Sequence, residues 1–283
     1  MTPAAKPTPK AKPKPKAKPK RRRVDPVKSW VNNLARYRPG LADDTLTALA
    51  SMYGTPVWQR VHDPTSELIL TILSANSADI NAEKAFDALS RRWPSVSGNA
   101  AIDEKIYRPG WGGVGIGHAT PDWAAVEFAE IAELTNVIRP GGLANQKAPR
   151  IQASLSHIRE ERGDYSLEFL GDMTALEARA WLTQIDGIGK KTASILLLFC
   201  FGMPLFPIDR HVERVTRRVG LMPPKATLDE AHELFLGVWQ PDEMYEAHVN
   251  LIQHGRKVCH AQRPDHVVCP LRARCRFYDP KAP

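Results

Sequence analysis

Apolar residues recur along this chain with the spacing of α-helices. One run has apolar side chains at i, i+3, i+4, i+7 and i+11 and stops at Pro94; its members are Ala82, Ala85, Phe86, Leu89 and Trp93. Four further runs have helical spacing, and they are marked by Ala125, Phe128, Ala129 and Ala132, by Ile151, Leu155 and Ile158, by Val212, Val215 and Val219, and by Leu228, Ala231, Leu234, Phe235 and Val238. Gly163, Gly220 and Pro241 follow the last three runs. Convincing strand-like segments, in which apolar and polar residues alternate, are missing. The pattern therefore predicts an all-α fold of roughly ten short helices.

One glycine-dense segment, residues 109–121, interrupts the helical pattern. It contains Gly-Gly-x-Gly-x-Gly, which is similar to the phosphate-binding turn of dinucleotide-binding folds. Such a turn needs a preceding strand, and the pattern predicts none here. The segment is therefore predicted to be a surface loop.

The positive charge of the chain is concentrated at its N-terminus. The net charge is +8, but residues 1–23 alone carry seven lysines, three arginines and no acidic residue, which leaves −2 on the remaining 260 residues. Six prolines and the lack of large apolar residues after Met1 predict a disordered tail. An extended polycation binds phosphate backbones by releasing counterions, although a solubilising or localisation tail is the alternative.

Membrane insertion and a disulfide framework are both disfavoured. The longest apolar region, residues 193–206, contains a glycine and a proline and is shorter than the ~20 residues that a bilayer requires. Three of the four cysteines, Cys259, Cys269 and Cys275, lie in the last 25 residues. That crowding favours a metal site in a reducing compartment. Cys200 lies in an apolar helix and is predicted to be a buried apolar side chain.

The sharpest local signal is a pair of helices joined by a Gly-Ile-Gly turn at residues 187–189. Thr174 and Glu177 have the spacing of a capping box, so the first helix is predicted to begin there and to end near Ile185. The second helix is predicted to begin around Lys190 and is apolar on nearly every side. Unpaired backbone N–H groups at such a turn form a concave patch that binds a phosphate. An ordinary helix–turn–helix corner is the alternative.

The hairpin segment LTQIDGIGKKTA, residues 182–193, resembles the helix-hairpin-helix of the endonuclease III family of DNA glycosylases. Other segments resemble motifs of the same family in the same order: LSANSAD at 73–79, GLANQKA at 142–148, IDRHVERVTRRVGL at 208–221 and the C-terminal stretch 254–275. The resemblance covers about residues 50–95 and 140–278. Between these two ranges this chain is longer than the family pattern.

The resemblance implies a base-excision repair enzyme that acts on duplex DNA with damaged bases or abasic sites. It puts Lys191 at the position of the nucleophile and Asp209 at that of the catalytic carboxylate. A lysine attacks carbon only as the neutral amine, which a helix N-terminus and a partly dry pocket both favour. We expect a bifunctional glycosylase/AP lyase that removes oxidised pyrimidines. The alternatives are a monofunctional glycosylase for mismatched or alkylated bases and a non-catalytic DNA-binding protein.

The resemblance also implies contacts with the DNA backbone near the hairpin. Gly187, Gly189 and Lys190 correspond to its phosphate-binding part. His211 corresponds to a histidine beside the carboxylate, where it holds the site or a phosphate, or is a buried structural residue. Arg210 replaces a threonine of the family pattern, and this long cation either grips phosphate or crowds the pocket.

Two further residues correspond to side chains that enter the DNA stack. Asn76 lies where the family has a glutamine that fills the gap left by a flipped base, and its reach is shorter by one methylene. Leu143 lies where a loop residue wedges into the opposite strand. Its alternative is a side chain that packs into the core.

The C-terminal cysteines keep the spacing of a family metal site with one substitution. The pattern is Cys259-x6-His266-x2-Cys269-x5-Cys275, and the family has a fourth cysteine where His266 lies. The resemblance implies a [4Fe–4S] cluster, for which imidazole is a known alternative ligand. Three cysteines and one histidine are equally a ligand set for structural zinc.

The family architecture implies two helical domains behind the basic tail. Residues 1–24 are the disordered tail, residues 25–55 join residues 204–283 in a cluster domain, and residues 56–203 form a six-helix barrel that ends in the hairpin at 174–201. The DNA cleft would lie between the domains. We further expect a monomer that does not bind membranes, in the cytoplasm with the nucleoid, or in the nucleus of a eukaryote.

Overall fold

The computed structural model describes residues 25–95, 105–107, 114–116 and 119–279. These residues contain twelve α-helices: α1 Pro26–Tyr37, α2 Leu41–Tyr53, α3 Pro64–Ser74, α4 Asp79–Arg92, α5 Trp123–Glu127, α6 Ile131–Val137, α7 Ala144–Arg162, α8 Ala175–Leu182, α9 Lys190–Phe201, α10 Arg210–Val219, α11 Leu228–Leu234 and α12 Met244–Lys257. Short 3-10 helices lie at Arg139–Gly141, Glu168–Asp172, Phe235–Gly237, Pro241–Glu243 and Arg272–Arg274. The all-α prediction is confirmed. The predicted basic tail lies outside the described residues.

The glycine-dense segment is not wholly a loop. Strand β1, Lys105–Tyr107, pairs antiparallel with β2, Val114–Ile116, with Lys105 opposite Ile116. β2 lies inside the segment that we predicted to be a surface loop, so that prediction was wrong for these three residues. Backbone hydrogen bonding to a neighbouring strand does not require a long apolar alternation, which is why a three-residue strand leaves no clear pattern.

Most predicted helix ends agree with the structure, and one predicted helix is broken. Gly163 and Gly220 follow α7 and α10 in the left-handed conformation, with φ of +80° and +94°. The predicted helix through Phe128 is instead two helices, α5 and α6. The Gln152 amide on α7 donates to the carbonyl of Ala129 at 2.7 Å, which satisfies the backbone where the helix is interrupted. Periodicity alone does not reveal this tertiary hydrogen bond.

Two large apolar clusters form the interior. One consists of buried residues between 68 and 205, and the other of residues 34–49 together with 206–271. Helix α3 lies in the middle of the first cluster, where ten of its residues, 64–73, are buried. Each fully buried leucine or isoleucine stabilises the fold by roughly 2 kcal/mol. The division parallels the predicted domains, although their boundaries stay a prediction.

The two clusters meet where α9 packs against α12. A small third cluster of Leu198, Phe199, Tyr245 and Val249 lies there, with the rings of Phe199 and Tyr245 edge to face at 5.5 Å. This junction therefore sets how α9, the second helix of the hairpin, faces the C-terminal helices.

None of the helices in the described ranges is long and apolar enough to cross a membrane.

Candidate active site

The predicted hairpin is present as α8, a turn and α9. The Thr174–Glu177 capping box forms, with the Thr174 N–H donating to Glu177 Oε2 at 3.0 Å. Helix α8 ends at Leu182, three residues before the expected Ile185. Gly187 has φ of +78°, a conformation that glycine adopts without strain. The turn and the start of α9 at Lys190 lie where the sequence predicts them.

The backbone at the start of α9 is open to a ligand. Gly189 is the N-cap of α9, and no other heavy atom lies within 4 Å of the position that a Cβ would take there. The first N–H groups of a helix lack intrahelical acceptors, so they are available to an anion. The side chain of Arg150 on α7 adds a cation beside the turn, because its Nε lies 2.5 Å from the Cβ position of Gly187. Sequence reasoning missed Arg150, since only tertiary packing brings it to the hairpin.

The two hairpin lysines have different surroundings. Lys190 Nζ lies 3.0 Å from Glu233 Oε1 and 3.9 Å from Asp229 Oδ2, so it is paired with acids of α11. Within the described ranges Lys191 makes no ion pair, and its side chain is exposed. Lys191 is therefore the hairpin amine that is accessible, while Lys190 would have to leave Glu233 to contact phosphate.

Asp209 combines a structural role with an open carboxylate oxygen. It is the N-cap of α10, and its Oδ1 accepts the N–H groups of His211 at 2.8 Å and Val212 at 2.7 Å. Its Oδ2 has no hydrogen-bond partner among the residues that the structure describes. The cap fixes the carboxylate, and one oxygen stays available for other chemistry.

Lys191 and Asp209 line the same cavity. The cavity has an empty volume of about 830 Å³, including the part open to solvent, and lies between α9 and the helices α10 and α12. Its wall also contains Asn76, Arg210, His211, His248 and Arg256. An amine and a carboxylate at one open cavity, beside a phosphate-sized backbone patch, can bring nucleophile and proton acceptor to a bound sugar.

A buried histidine lies behind the catalytic candidates. His248 is 1% exposed, and burial first of all lowers its pKa to about 4, so its imidazole is neutral. Its N–H donates to the Pro207 carbonyl, and Asp209 and Lys191 both act on it electrostatically. Sequence reasoning did not select His248, because an isolated histidine on an apolar helix is usually structural.

The remaining candidates at this cavity differ in their partners. His211 is half-buried and lies 3.0 Å from Arg214 Nη2 through its Nδ1, and burial lowers its pKa. Arg210 is exposed, and its guanidinium has no carboxylate partner within the described ranges. Arg256 pairs with Asp79 at 2.6 Å, which joins α12 to the start of α4. Arg210 is thus an arginine at this cavity without a carboxylate partner among the described residues.

Asn76 and Leu143 have unusual backbone conformations. Their φ angles are +53° and +51°, and no other non-glycine residue in the described ranges has a positive φ. Both side chains are exposed, and Leu143 is 46% exposed, so it does not pack into the core. Strained residues that project into solvent frequently belong to functional sites.

The predicted metal ligands also gather at one place. Cys259, His266, Cys269 and Cys275 line a second, narrow cavity beside α10 and α12, whose empty volume is about 290 Å³ including the part open to solvent. His254, which sequence reasoning did not select as a ligand, lies with its Nε2 3.5 Å from Cys269 Sγ. Within the part of the chain that the structure describes, no three His, Cys, Asp or Glu side chains are grouped as ligands of one metal ion.

Comparisons with known proteins find chains that are similar to this one in sequence. The chain is 32% identical over 211 residues to Endonuclease III of Sulfolobus acidocaldarius, a match that covers 75% of this chain and 81% of that protein. It is 29% identical over 214 residues to Endonuclease III of Rickettsia conorii, with 75% and 83% covered. It is also 27% identical over 177 residues to DNA glycosylase/AP lyase ROS1 of Arabidopsis thaliana, but this match covers 56% of the chain and only 13% of that longer protein.

The fold gives the same relationship. A solved structure described as "Structure of a Trapped Endonuclease III-DNA Covalent Intermediate: Estranged-Adenine Complex" matches with a TM-score of 0.62 and 25% identity, over 87% of this chain and 95% of that one. Residues 69–241 match the sequence profile of a family of DNA glycosylases, described as "HhH-GPD superfamily base excision DNA repair protein". The chain therefore belongs to the HhH-GPD superfamily of base excision DNA repair proteins.

Proposed function

We propose that this protein is a bifunctional DNA glycosylase and AP lyase that uses Lys191 as its nucleophile. One observation carries the proposal: the unpaired Lys191 amine and the open Oδ2 side of Asp209 line one cavity that is open to solvent. A hairpin with free backbone N–H groups lies next to it and suits a DNA phosphate. The names of the relatives, Endonuclease III and DNA glycosylase/AP lyase, support the same chemistry.

In the proposed reaction the neutral amine of Lys191 attacks C1′ of a nucleotide that has left the duplex. The C1′–N bond to the damaged base breaks, and the base departs with the electron pair and takes up a proton. Asp209 stabilises the positive charge that develops on the sugar and accepts a proton from the lysine nitrogen. The C1′–O4′ bond then opens, O4′ takes up a proton, and an iminium remains between C1′ and Lys191.

The iminium makes strand cleavage possible. Loss of a C2′ proton supplies the electron pair that expels the 3′ phosphate as the C3′–O bond breaks. Water then hydrolyses the iminium and releases Lys191. The hairpin positions the DNA backbone, while Arg150 and Arg210 add positive charge near it. Asn76 and Leu143 are proposed to occupy the stack after the nucleotide is extruded.

Borohydride trapping tests the nucleophile. The wild-type protein should form a covalent adduct with a duplex that contains an abasic site, and Lys191→Gln should form none. Lys190→Gln is the matched control, because it removes the neighbouring amine from the same helix turn and should keep the adduct. An adduct that persists in Lys191→Gln would refute the proposed nucleophile. Base release without an adduct would indicate a monofunctional glycosylase, and binding without base release a non-catalytic protein.

For the substrate we propose oxidised pyrimidines in duplex DNA. The resemblance to the endonuclease III family implies this class, and the similarity to two proteins named Endonuclease III supports the resemblance. Single-turnover excision over a panel of duplexes tests it, with an oxidised pyrimidine, a mismatched thymine and an alkylated purine at the same position. The oxidised pyrimidine should be released fastest. Preferential release of the thymine or the alkylated base would contradict the proposal. We also propose that the protein acts as a monomer, which light scattering checks.

We propose that Cys259, His266, Cys269 and Cys275 hold a [4Fe–4S] cluster, with zinc as the alternative. The donor chemistry fits, because three thiols and an imidazole line one cavity. A single zinc ion would need its ligands within about 2.3 Å of one point, and no such grouping is present among the described residues. Each ligand of a cluster binds a different iron, so a cluster suits donors that are further apart. When bound, the cluster would stabilise the C-terminal segment and could exchange electrons.

Absorption and metal analysis separate the two metals. The purified protein should absorb at about 400 nm and contain iron and sulfide. His266→Cys completes a four-cysteine set and should keep the absorption band, whereas Cys269→Ala should lose it. Stoichiometric zinc without the band would favour zinc, and no metal would refute the site.

A further inference from the structure

We infer that Lys147 is a positioning residue that fixes two loops relative to each other: the Asn76 loop, residues 75–78, and the Leu143 loop, residues 142–143. The side chains of Asn76 and Leu143 can then enter DNA together. The inference rests on the proposed function of these two residues. Lys147 itself touches neither the cavity with Lys191 nor the exposed rim, because its side chain is buried at 2% exposure. Its action on DNA would therefore pass through the two loops.

Lys147 forms hydrogen bonds with the chain just before each of the two loops. Its Nζ donates to the carbonyl of Leu73 at 2.6 Å and to the carbonyl of Gly141 at 2.8 Å. Leu73 lies in the last turn of α3, three residues before Asn76, and Gly141 ends a 3-10 helix two residues before Leu143. One ammonium group thus connects the segment just before Asn76 to the segment just before Leu143.

The charge of Lys147 gives this contact an electrostatic reason. Lys147 has no carboxylate within ion-pair distance among the described residues, and burial lowers its pKa. A buried cation without a counter-charge is costly, so its hydrogen bonds have to be well placed. Both acceptors are carbonyls at the ends of helical segments, where the last carbonyls lack intrahelical donors. The ammonium therefore satisfies one such carbonyl on each segment.

The Leu143 loop also lies close to α4 and to the Asn76 loop. A Cβ at Gly141 would lie 3.0 Å from Ala85 Cβ on α4, and a Cβ at Gly142 would lie 3.9 Å from Ser77 Oγ. Asn76 and Leu143 hold positive φ angles on either side of this contact. Strained conformations persist only where the surroundings fix them. The Lys147 hydrogen bonds and the glycine contacts supply that constraint.

This geometry has a consequence for base extrusion. One side chain fills the gap in the damaged strand and the other enters the opposite strand, so the distance between them has to match the duplex. A misplacement of about 1 Å can slow an enzymatic step by about 100-fold. The loops are built on separate helices, α3 and α7, and Lys147 is the polar group that both share. Loss of that link should weaken extrusion before it affects the chemistry of Lys191.

Lys147→Met provides the test, because methionine keeps an apolar unbranched side chain and loses both hydrogen bonds. The probe is 2-aminopurine placed next to an oxidised pyrimidine, whose fluorescence rises when the neighbouring base unstacks. We expect the rise to be largely lost and base excision to slow by about 100-fold. Borohydride trapping on a preformed abasic site should keep its rate, since no base has to be extruded there. Lys84→Met, an exposed lysine on α4, is the matched control.

A mutant cycle separates positioning from simple destabilisation. With Lys147 present, Asn76→Ala and Leu143→Ala should be coupled, so the double variant loses less activity than the product of the single losses. In the Lys147→Met background the losses should multiply. A merely structural lysine would lower thermal stability and leave this coupling unchanged.

A second variant covers the case in which Lys147→Met does not fold. Gly141→Ala keeps Lys147 but forces the Leu143 loop away from Ala85 by a few tenths of an ångström. It should show the same selective loss of the fluorescence rise. Normal extrusion in either folded variant would overturn the inference. Wild-type protein that never traps an abasic site would instead refute the proposed lyase function, and the two failures are thus distinguishable.

Discussion

Substitution of Asp209 can separate its catalytic role from its role as a helix cap. The carboxylate accepts two backbone N–H groups of α10 through Oδ1, while Oδ2 is open. Asparagine and serine both cap helices well but have no charge, whereas alanine has no charge and caps helices poorly. Asp209→Asn and Asp209→Ser should therefore keep the cap and lose the carboxylate, and Asp209→Ala should lose both.

The expected changes in stability are small. Loss of a cap costs about 1 kcal/mol, and loss of a negative charge at a helix N-terminus costs roughly 0.3–1 kcal/mol. For a protein of this size about 1 kcal/mol lowers the melting temperature by about 2–4 °C. Asp209→Asn and Asp209→Ser should thus melt within a few degrees of the wild type, and Asp209→Ala a few degrees lower still.

The expected changes in rate are much larger. Removal of a positioned general acid–base group slows a reaction by roughly 10²–10⁴-fold, which corresponds to about 3–5 kcal/mol in the activation free energy. Single-turnover excision from a lesion duplex should therefore fall by a similar factor in all three variants, while their affinity for the duplex stays close to that of the wild type. Full activity in Asp209→Asn would refute the catalytic role. Equal melting temperatures for the alanine and asparagine variants would refute the capping argument.

Three further predictions follow from charges and hydrogen bonds around the site. Arg210→Thr should weaken binding to every duplex and reduce the salt dependence by about one ion if Arg210 grips phosphate; a change confined to one lesion in the excision panel would instead indicate base contact. Arg150→Gln should likewise reduce the salt dependence by about one ion without loss of borohydride trapping, and an unchanged salt slope would contradict its phosphate role. His232 is buried, lies 2.7 Å from the Leu228 carbonyl through Nδ1, and accepts the Ile208 N–H at 3.2 Å through Nε2. Burial lowers the pKa of His232 below that of an unfolded histidine, about 6.5, so the unfolded chain binds the proton more readily. Its contribution to stability is therefore present above about pH 6.5 and lost as the pH falls below it; His232→Gln should flatten melting temperature against pH in this window, and an unchanged profile would refute the assignment.

The sequence alone was sufficient where the signal is local. The capping box at Thr174, the turn at Gly187 and the start of α9 depend on short-range hydrogen bonds, and the structure has all three. The prediction of one helix through Phe128 was wrong, because the amide of Gln152, distant in sequence, satisfies the backbone where that helix breaks. Local pattern has no access to such a partner.

The same distinction between local and tertiary signals decides which site residues could be predicted from the sequence. Lys191 and Asp209 could be selected because a family motif surrounds each of them, and the structure places both at one cavity. Arg150 and His248 could not be selected in this way, and Lys147 lies within the GLANQKA segment, but the motif does not reveal its role. Arg150 matters only because α7 passes the hairpin, and Lys147 only because two carbonyls from different elements converge on it. Their significance lies in distances that no spacing along the chain encodes.

The proposed catalytic pair, Lys191 and Asp209, lies at a junction of two apolar clusters. Lys191 belongs to α9 of the first cluster, and Asp209 begins α10 of the second, so no single helix fixes their separation. Two neutral histidines hold the segment just before Asp209 at successive residues. His248 donates to the Pro207 carbonyl, and His232 accepts the Ile208 N–H. Because both imidazoles are buried and uncharged, they place the carboxylate without adding a positive charge that would compete with Lys191 for it. In the proposed reaction the carboxylate would thus stay in place while a nucleotide enters the cavity that Lys191 and Asp209 line.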